Sequence, residues 1–195
     1  MEIAGLVLAA GAGRRMGGPK ALARDAEGIA WVVRTARVLA EAGCVPVVVV
    51  VGAAAKQVMT ELVDEPVEVI EAVDWQEGMG ATLRAGLAAL ANHAEPVAAL
   101  VVPVDVPSLE TYVVRRIAAD ADPGALTRAV FGGSPGHPVL LGRDHWAGVI
   151  ATAVGDQGAR SYLRQHPPRE IECSDLADGA DVDTPDQLPA GHRPS

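Results

Sequence analysis

Seven short segments along the chain have the length and residue pattern of β-strands. They are IAGLVLAA, VPVVVVVG, VEVIEA, PVAALVVPVD, GALTRAVF, HPVLLG and REIECSD. The first, second and fourth are apolar at almost every position, which is typical of strands covered on both faces. The pattern therefore predicts a sheet whose inner strands are fully buried.

Three longer segments between these strands repeat apolar residues with helical spacing. They are IAWVVRTARVLAEAG, GATLRAGLAALANHA and SLETYVVRRIAADAD. Gly43 is placed to end the first helix, and Ser108 is placed to cap the start of the third. Strands that alternate with helices predict an α/β fold with a mostly parallel central sheet and right-handed crossovers.

The length of 195 residues fits one domain with a substantial core. We find no internal repeat and no change in composition that would mark a linker. We therefore predict a single domain over residues 1–188. The last segment, PAGHRPS, is polar and contains two prolines, so residues 189–195 are predicted to form a frayed tail.

Composition limits the classes of partner. Sixteen basic and 25 acidic residues give a net charge of −9, which argues against nucleic acid but not against one phosphorylated small molecule. No apolar run reaches membrane length, so we expect no membrane partner and interpret the first run as a strand rather than a signal peptide. Cys44 and Cys173 lack metal-ligand spacing and are predicted to be reduced thiols in a cytoplasmic protein.

The first predicted strand ends in a turn that combines glycines and cations, LAAGAGRRMGGPKAL. Backbone N–H groups in such strand–turn–helix settings hold phosphates. A P-loop is disfavoured because no Ser or Thr follows Lys20, and a dinucleotide fingerprint is disfavoured because its third glycine is displaced to Gly17. We predict a loop that wraps a triphosphate, with Arg15 and Lys20 neutralising phosphate oxygens. A solvated surface loop is the alternative.

Two aspartates follow other predicted elements. Asp105 ends the fourth strand, at the sheet edge where parallel strands bind ligands, although a single Asp there is most often a turn residue. Asp183 lies in DVDTPDQL, where Thr184 and Pro185 also fit the start of a helix. Beside a triphosphate loop, we interpret Asp105 as a ligand of Mg²⁺, which prefers oxygen donors.

Six motifs in order along the chain together resemble the nucleotidyltransferases with a MobA-like fold, and most closely the molybdenum cofactor cytidylyltransferases. The turn above is similar to their L-A-A-G-x-[SG]-x-R-M-G-x-x-K-x-L signature. The others are DWQEGMGATLRAGLAAL, VPVDVP, GHPVLL, GDQGAR and DVDTPDQL, which carry the resemblance to residue 188. It implies a three-layer α/β/α Rossmann-like nucleotidyltransferase fold.

The resemblance also implies a role for individual residues. Arg15, Lys20 and Asp105 would be catalytic, and Asp105 and Asp183 would hold Mg²⁺. His137, Asp156 and Arg160 would bind the acceptor. The nucleotide would be bound by a larger set that spans two motifs, namely Leu8, Ala9, Ala10, Gly11, Ala12, Gly13, Arg15, Lys20, Gly78, Gly80 and Thr82.

Two positions near these motifs affect the expected contacts. Val106 replaces the Gln of the family's D-Q-P motif, so any contact made by that side chain is lost. Trp75 fits a pocket wall or the core, and we assign it to the core.

The reaction implied by the resemblance is transfer of CMP from CTP to molybdenum-bound molybdopterin, with release of pyrophosphate. Maturation factors of molybdo-hydroxylases would be possible protein partners. Three alternatives remain open at this point. They are a guanylyltransferase, a nucleotidyltransferase for another phosphorylated acceptor such as a sugar phosphate or phospholactate, and a nucleotide-binding maturation factor without turnover.

Overall fold

A computed structural model describes residues 1–195 and contains one seven-stranded sheet with the order β3-β2-β1-β4-β6-β5-β7. All seven predicted strands are present. Their bounds are Glu2–Ala9 (β1), Val47–Val51 (β2), Glu68–Glu71 (β3), Pro96–Pro103 (β4), Leu126–Phe131 (β5), Ser134–Gly142 (β6) and Arg169–Glu172 (β7). The sheet is mostly parallel, as predicted, because only β6 runs antiparallel to its neighbours β4 and β5.

Six α-helices cover the sheet. They are Trp31–Ala42 (α1), Ala55–Glu61 (α2), Met79–Leu90 (α3), Thr111–Ala118 (α4), Arg143–Thr152 (α5) and Arg160–Gln165 (α6). The sequence predicted only α1, α3 and α4. The helices α2 and α6 have only seven and six residues, and α5 has no clear apolar period. No helix combines the length and the apolar character that crossing a membrane requires.

The helices form two layers with separate apolar cores. Residues from α1, α2 and α4 pack on one face of the sheet with alternate strand residues such as Val7, Val49 and Val102. Residues from α3, α5 and α6 pack on the other face with the intervening strand residues, including Leu6 and Val50. Because side chains alternate across a strand, both faces of β1, β2 and β4 are buried, and the three-layer α/β/α fold is confirmed.

The predicted helix ends have different outcomes. Gly43 ends α1 in the left-handed conformation, with φ of 100°, so its prediction as a C-cap is confirmed. The prediction for Ser108 is wrong, since α4 begins at Thr111 after the extended residue Glu110. Residues Val106–Leu109 form a turn instead, in which the Leu109 N–H donates to the Val106 carbonyl at 3.1 Å.

The C-terminal residues are paired with the body of the protein rather than frayed. Arg193 exchanges two backbone hydrogen bonds of 2.9 Å with Arg24. The indole N–H of Trp31 donates to His192 Nδ1 at 3.1 Å, and Ser195 lies against Gly18 of the glycine turn. The polar composition of residues 189–195 led us to predict a frayed tail. Instead, these hydrogen bonds hold the segment against the body of the protein.

Gly86 tests how closely α3 packs on the sheet. A Cβ there would lie 2.4 Å from Leu6 Cδ1 and 2.9 Å from Val50 Cγ2, and both neighbours are fully buried. We therefore expect Gly86→Ala to lower the free energy of unfolding by about 1–3 kcal/mol, measured by urea denaturation. Gly124→Ala is the control, because its Cβ meets only Asp122 at 3.4 Å. Equal stability of the two variants would contradict the close packing.

His192 tests the docking of the C-terminal segment. His192→Ala leaves the buried indole N–H of Trp31 without its partner. We expect a loss of about 1 kcal/mol in the free energy of unfolding, seen as a lower Tm. His93→Ala removes a histidine whose bond to Glu68 is exposed and should change the Tm little. A Tm unchanged by His192→Ala would show that the segment is not docked.

Candidate active site

The glycine turn leaves β1 at the point where the strand order of the sheet reverses. Chain connections from β1 and β4 diverge there, and the crevice beyond their carboxyl ends is the usual ligand site of such sheets. Two backbone hydrogen bonds fix the start of the turn. Val104 N–H donates to the Leu8 carbonyl at 3.1 Å, and Ala53 N–H donates to the Ala10 carbonyl at 3.0 Å.

The turn itself depends on Gly13. Its φ is +59°, and a Cβ there would lie 1.8 Å from the carbonyl oxygen of Gly18. Met16 anchors the turn, since its side chain is buried and its N–H donates to the Gly13 carbonyl at 2.9 Å. The loop is therefore folded tightly against itself, and a side chain at Gly13 is excluded both by space and by backbone conformation.

Around this turn lies a cleft of about 640 Å³. It collects most of the predicted site residues from five separate segments. Those in its lining are Leu8, Ala10, Gly11, Ala12, Gly13, Arg15, Lys20, Gly78, Thr82, Asp105, Asp156, Arg160 and Asp183. Three predicted residues, Ala9, Gly80 and His137, lie outside the lining.

Lys20 joins the two predicted metal ligands at the centre of the cleft. Its Nζ lies 2.8 Å from Asp105 Oδ2 and 2.5 Å from Asp183 Oδ1. Arg15 Nη2 lies 3.0 Å from the other oxygen of Asp183. These four residues, which the sequence placed in three distant motifs, form one cluster of charges.

The cluster changes the pKa values of its members. Burial lowers the pKa of Lys20, but hydrogen bonds and attraction from Asp105 and Asp183 outweigh it, so that this pKa is raised. The hydrogen bond from Lys20, with attraction from Lys20 and Arg15, lowers the pKa of Asp183. Lys20 is therefore a cation and Asp183 an anion at neutral pH.

Backbone contacts hold the two aspartates in place. Val182 N–H donates to the Asp105 carbonyl at 2.9 Å and ties the two segments together. Gln187 Oε1 accepts from the N–H groups of Asp183 and Thr184 at 2.8 and 3.0 Å. A 3-10 helix, Pro185–Gln187, begins here, so the motif is a helix start as well as a source of the Asp183 carboxylate.

The two carboxylates have the right chemistry for a divalent cation. Mg²⁺ is commonly held by one or two carboxylates together with waters and substrate phosphates. The chain contains no group of three or more His, Cys, Asp or Glu side chains that could hold a metal ion on their own. Asp105 and Asp183 therefore fit a cation whose remaining ligands come from a bound phosphate and water.

The GMGAT segment contributes less directly than predicted. A Cβ on Gly78 would lie 2.4 Å from Asp156 Oδ1, and one on Gly80 would lie 2.8 Å from the Val154 nitrogen. These glycines let the start of α3 approach residues 153–156, and Gly80 faces that loop rather than the cleft. Thr82 is buried and lines the cleft.

Trp75 combines the two positions considered for it. Its side chain is partly buried and packs against the apolar core on the α3 face, as assigned, and it also lines the cleft. Because Gly52 has no side chain, the indole can rest on it at the end of β2.

The predicted acceptor residues fall into two groups. Asp156 and Arg160 line the cleft, and no ion pair joins them, although their spacing of four residues also fits a helical salt bridge. Arg160 borders a second, more open groove as well, together with Arg128 and Arg164.

His137 is placed less favourably for binding than predicted. It lies in β6 and is partly buried rather than exposed, and its Nδ1 is buried without a hydrogen-bond partner. Burial lowers the pKa of His137 against the attraction of Asp105 and Asp181. The imidazole is therefore neutral at neutral pH and offers no positive charge to a phosphate.

Besides Trp75, six residues of the lining were missed by the sequence analysis. Each lies within two positions of a predicted residue, and they are Arg14, Gln76, Met79, Pro103, Val104 and Asp181. Asp181 gave a usable signal, because it precedes Asp183 by two residues and such alternate residues of an extended segment share one side. Its carboxylate brings the cleft to four aspartates beside the four cations Arg14, Arg15, Lys20 and Arg160.

Comparison with known sequences identifies the family of the chain and one relative. Residues 5–170 match the family model described as the MobA-like NTP transferase domain. The chain is also 38% identical over 198 residues to nicotine blue oxidoreductase of Paenarthrobacter nicotinovorans, with 95% of this chain and 94% of the relative covered.

Solved structures share the fold. Rv0371c from Mycobacterium tuberculosis is 27% identical with a TM-score of 0.79, and its manganese complex is 26% identical with a TM-score of 0.76. In both cases 95% of each chain is covered. A nucleotidyl transferase from Methanothermobacter, at 22% identity and a TM-score of 0.80 over 94% of this chain and 92% of its own, matches in fold.

Gly11 and Gly13 provide a matched test of phosphate binding by the turn. A Cβ on Gly13 clashes with the Gly18 carbonyl, whereas a Cβ on Gly11 meets nothing within 4 Å. We expect Gly13→Ala to abolish the thermal stabilisation by a nucleoside triphosphate, because the loop must open, and Gly11→Ala to retain a folded turn. Thermal shift with CTP and GTP measures both. Retained stabilisation in Gly13→Ala would contradict a role for this loop conformation.

Proposed function

The chain belongs to the MobA-like NTP transferase family, and we propose that it transfers CMP from CTP to the terminal phosphate of a molybdopterin-type cofactor. The observation that carries the proposal is the convergence, in one cleft, of the glycine turn with Lys20, Asp105 and Asp183. Phosphate-binding backbone, a cation and paired carboxylates are the parts that phosphoryl-group chemistry requires.

The proposed step is an in-line displacement at the α-phosphorus of CTP. An oxygen of the acceptor phosphate forms the new P–O bond, the bond to the β-phosphate oxygen breaks, and pyrophosphate leaves with that electron pair. The ionised acceptor phosphate is already nucleophilic, so no general base is required. This fits the cleft, whose lining contains no histidine.

Catalysis would then rest on positioning and charge neutralisation. The backbone N–H groups of the turn would hold the β- and γ-phosphates, and Arg15 and Lys20 would neutralise the charge that develops on pyrophosphate. Asp105 and Asp183 would hold Mg²⁺, which supplies Lewis-acid stabilisation of the phosphates when bound. The manganese complex of Rv0371c supports a divalent metal in a relative at 26% identity.

Selection of cytosine rests on the residues Leu8 to Gly11. This L-A-A-G segment resembles that of cytidylyltransferases, whereas guanylyltransferases typically carry L-A-G-G. Ala10 lines the cleft and adds one methyl group there. A methyl group discriminates by about 1–3 kcal/mol, which would favour the smaller base without excluding GTP entirely.

The cellular setting that we propose is the cytoplasm. Cys44 and Cys173 are both free and buried, which is the state expected of thiols in a reducing compartment. Maturation factors for molybdo-hydroxylases would be the protein partners that receive the dinucleotide cofactor.

A second function is favoured by one observation. The relative that is 38% identical over nearly the whole chain is named an oxidoreductase. Under this alternative the cleft would hold an electron donor, and a reduced nicotinamide dinucleotide is the donor to test because the glycine turn could bind its phosphates. The displaced third glycine of the turn argues against the G-x-G-x-x-G mode of dinucleotide binding. Dinucleotide binding that does not use this motif is unaffected by that argument.

Two parallel assays separate these functions. The first measures pyrophosphate release with CTP or GTP, Mg²⁺ and molybdopterin. The second measures oxidation of NADH or NADPH with nicotine blue. We expect acceptor-dependent pyrophosphate release with CTP and no oxidation of either dinucleotide. Oxidation without pyrophosphate release would replace the transferase proposal with the oxidoreductase.

The role of Lys20 is tested against Lys56, the other lysine of the chain. Lys20→Ala removes the cation expected on the leaving pyrophosphate, so we expect turnover to fall by about 100-fold or more. Lys56→Ala removes an exposed lysine of α2 and should leave turnover unchanged. A folded Lys20→Ala variant with normal turnover would refute the role.

A further inference from the structure

The ammonium group of Lys20 occupies the position between the two proposed metal ligands. Its Nζ lies within 2.8 Å of one oxygen from each of Asp105 and Asp183, and the side chain is only 15% exposed. Arg15 contacts the same cluster but is 72% exposed. Lys20 is thus the enclosed cation of the site, and Arg15 is a peripheral one.

A divalent cation bound by those same two oxygens would have to lie where the ammonium lies. The two cations exclude each other by volume and by charge. Lys20 is also part of the chain, so its effective concentration at Asp105 and Asp183 is far above that of a metal ion in solution. In the absence of nucleotide, a metal ion therefore has to displace the tethered Lys20 ammonium group before it can bind both carboxylates.

A triphosphate offers Lys20 a different partner. Lys20 opens the 3-10 helix Lys20–Leu22 directly after the glycine turn, so its flexible four-carbon stem starts beside the predicted phosphate position. Movement of Nζ onto phosphate oxygens would free both carboxylates. The same phosphates would supply the missing oxygen ligands for a divalent cation.

We propose that Lys20 is a resident cation that closes the divalent-metal site of the free protein until a triphosphate draws it away. The inference rests on the proposed nucleotidyltransferase function and names how its site is regulated. Metal and nucleotide then bind interdependently, and each raises the affinity for the other by the same factor.

The first test measures binding of Mn²⁺ alone by electron paramagnetic resonance of the free ion. The compared proteins are the wild type, Lys20→Met and Lys56→Met. Removing the resident charge should raise the affinity for Mn²⁺ at least about tenfold in Lys20→Met. Lys56→Met should match the wild type, because Lys56 is exposed on α2.

A double variant assigns the gained binding to this site. Adding Asp105→Asn to Lys20→Met should remove the gain in Mn²⁺ affinity. Mn²⁺ binding by Lys20→Met that is no tighter than in the wild type would overturn the proposal. A gain that persists in the double variant would overturn it as well.

A second test observes Lys20 in the wild type, and the only variant it needs is one at the exposed Lys56, which serves to assign the signals. Because the chain has only two lysines, ¹⁵N-lysine labelling gives two ammonium signals, and Lys56→Met assigns them. CTP in the presence of a chelator should shift the Lys20 signal, whereas Mg²⁺ alone should not. A shift caused by Mg²⁺ alone would contradict the proposal.

These outcomes are separate from those that test the proposed function. If the protein is not a nucleotidyltransferase, pyrophosphate release is absent although Lys20→Met still gains Mn²⁺ affinity. If the protein is a transferase but Lys20 is not a resident cation, pyrophosphate release is normal in the wild type and Lys20→Met gains no Mn²⁺ affinity.

Discussion

The bridge that Lys20 forms between Asp105 and Asp183 is the interaction on which the site depends. It joins residues 85 and 163 positions apart in the sequence. Three segments meet at this bridge, namely the glycine turn after β1, the end of β4 and the segment before the last 3-10 helix. Two carboxylates this close together repel each other, and the ammonium group between them offsets that repulsion.

Close backbone approaches make room for that cluster. Gly13 lets the turn fold onto Gly18, and Gly78 lets the start of α3 reach the loop that carries Asp156. Gly86 brings α3 down onto β1 and β2.

Much of this arrangement follows from local patterns in the sequence. Seven strands and the two-sided burial of β1, β2 and β4 were predicted because apolar runs report burial directly. The glycine turn and Asp105 were found because they end predicted strands, and Asp183 was found through the resemblance that DVDTPDQL carries. The helices α2, α5 and α6 were missed, and the docked C-terminal segment was mistaken for a frayed one, because their order comes from partners distant in sequence. The position of Trp75 in the cleft wall was missed for the same reason, since it depends on Gly52.

The site's chemistry was predicted less completely than its location. The motifs identified which residues converge, but the contact between Lys20 and both carboxylates is a property of three-dimensional packing. His137 shows the opposite case, because its motif implied contact with the acceptor, whereas the folded chain buries its Nδ1 outside the lining of the cleft. The order of the motifs therefore predicts which segments form the cleft. The three-dimensional packing is needed to show which charged side chains of the cleft form ion pairs with each other.

The most direct test of the central claim is a thermal-shift panel with CTP, GTP, UTP and ATP, each with and without Mg²⁺. A ligand at about 100 times its Kd stabilises a protein by about 2.7 kcal/mol, which such a measurement detects. The account predicts stabilisation by CTP that increases with Mg²⁺, and none by Mg²⁺ alone. Stabilisation by NADPH but by no nucleoside triphosphate would contradict it.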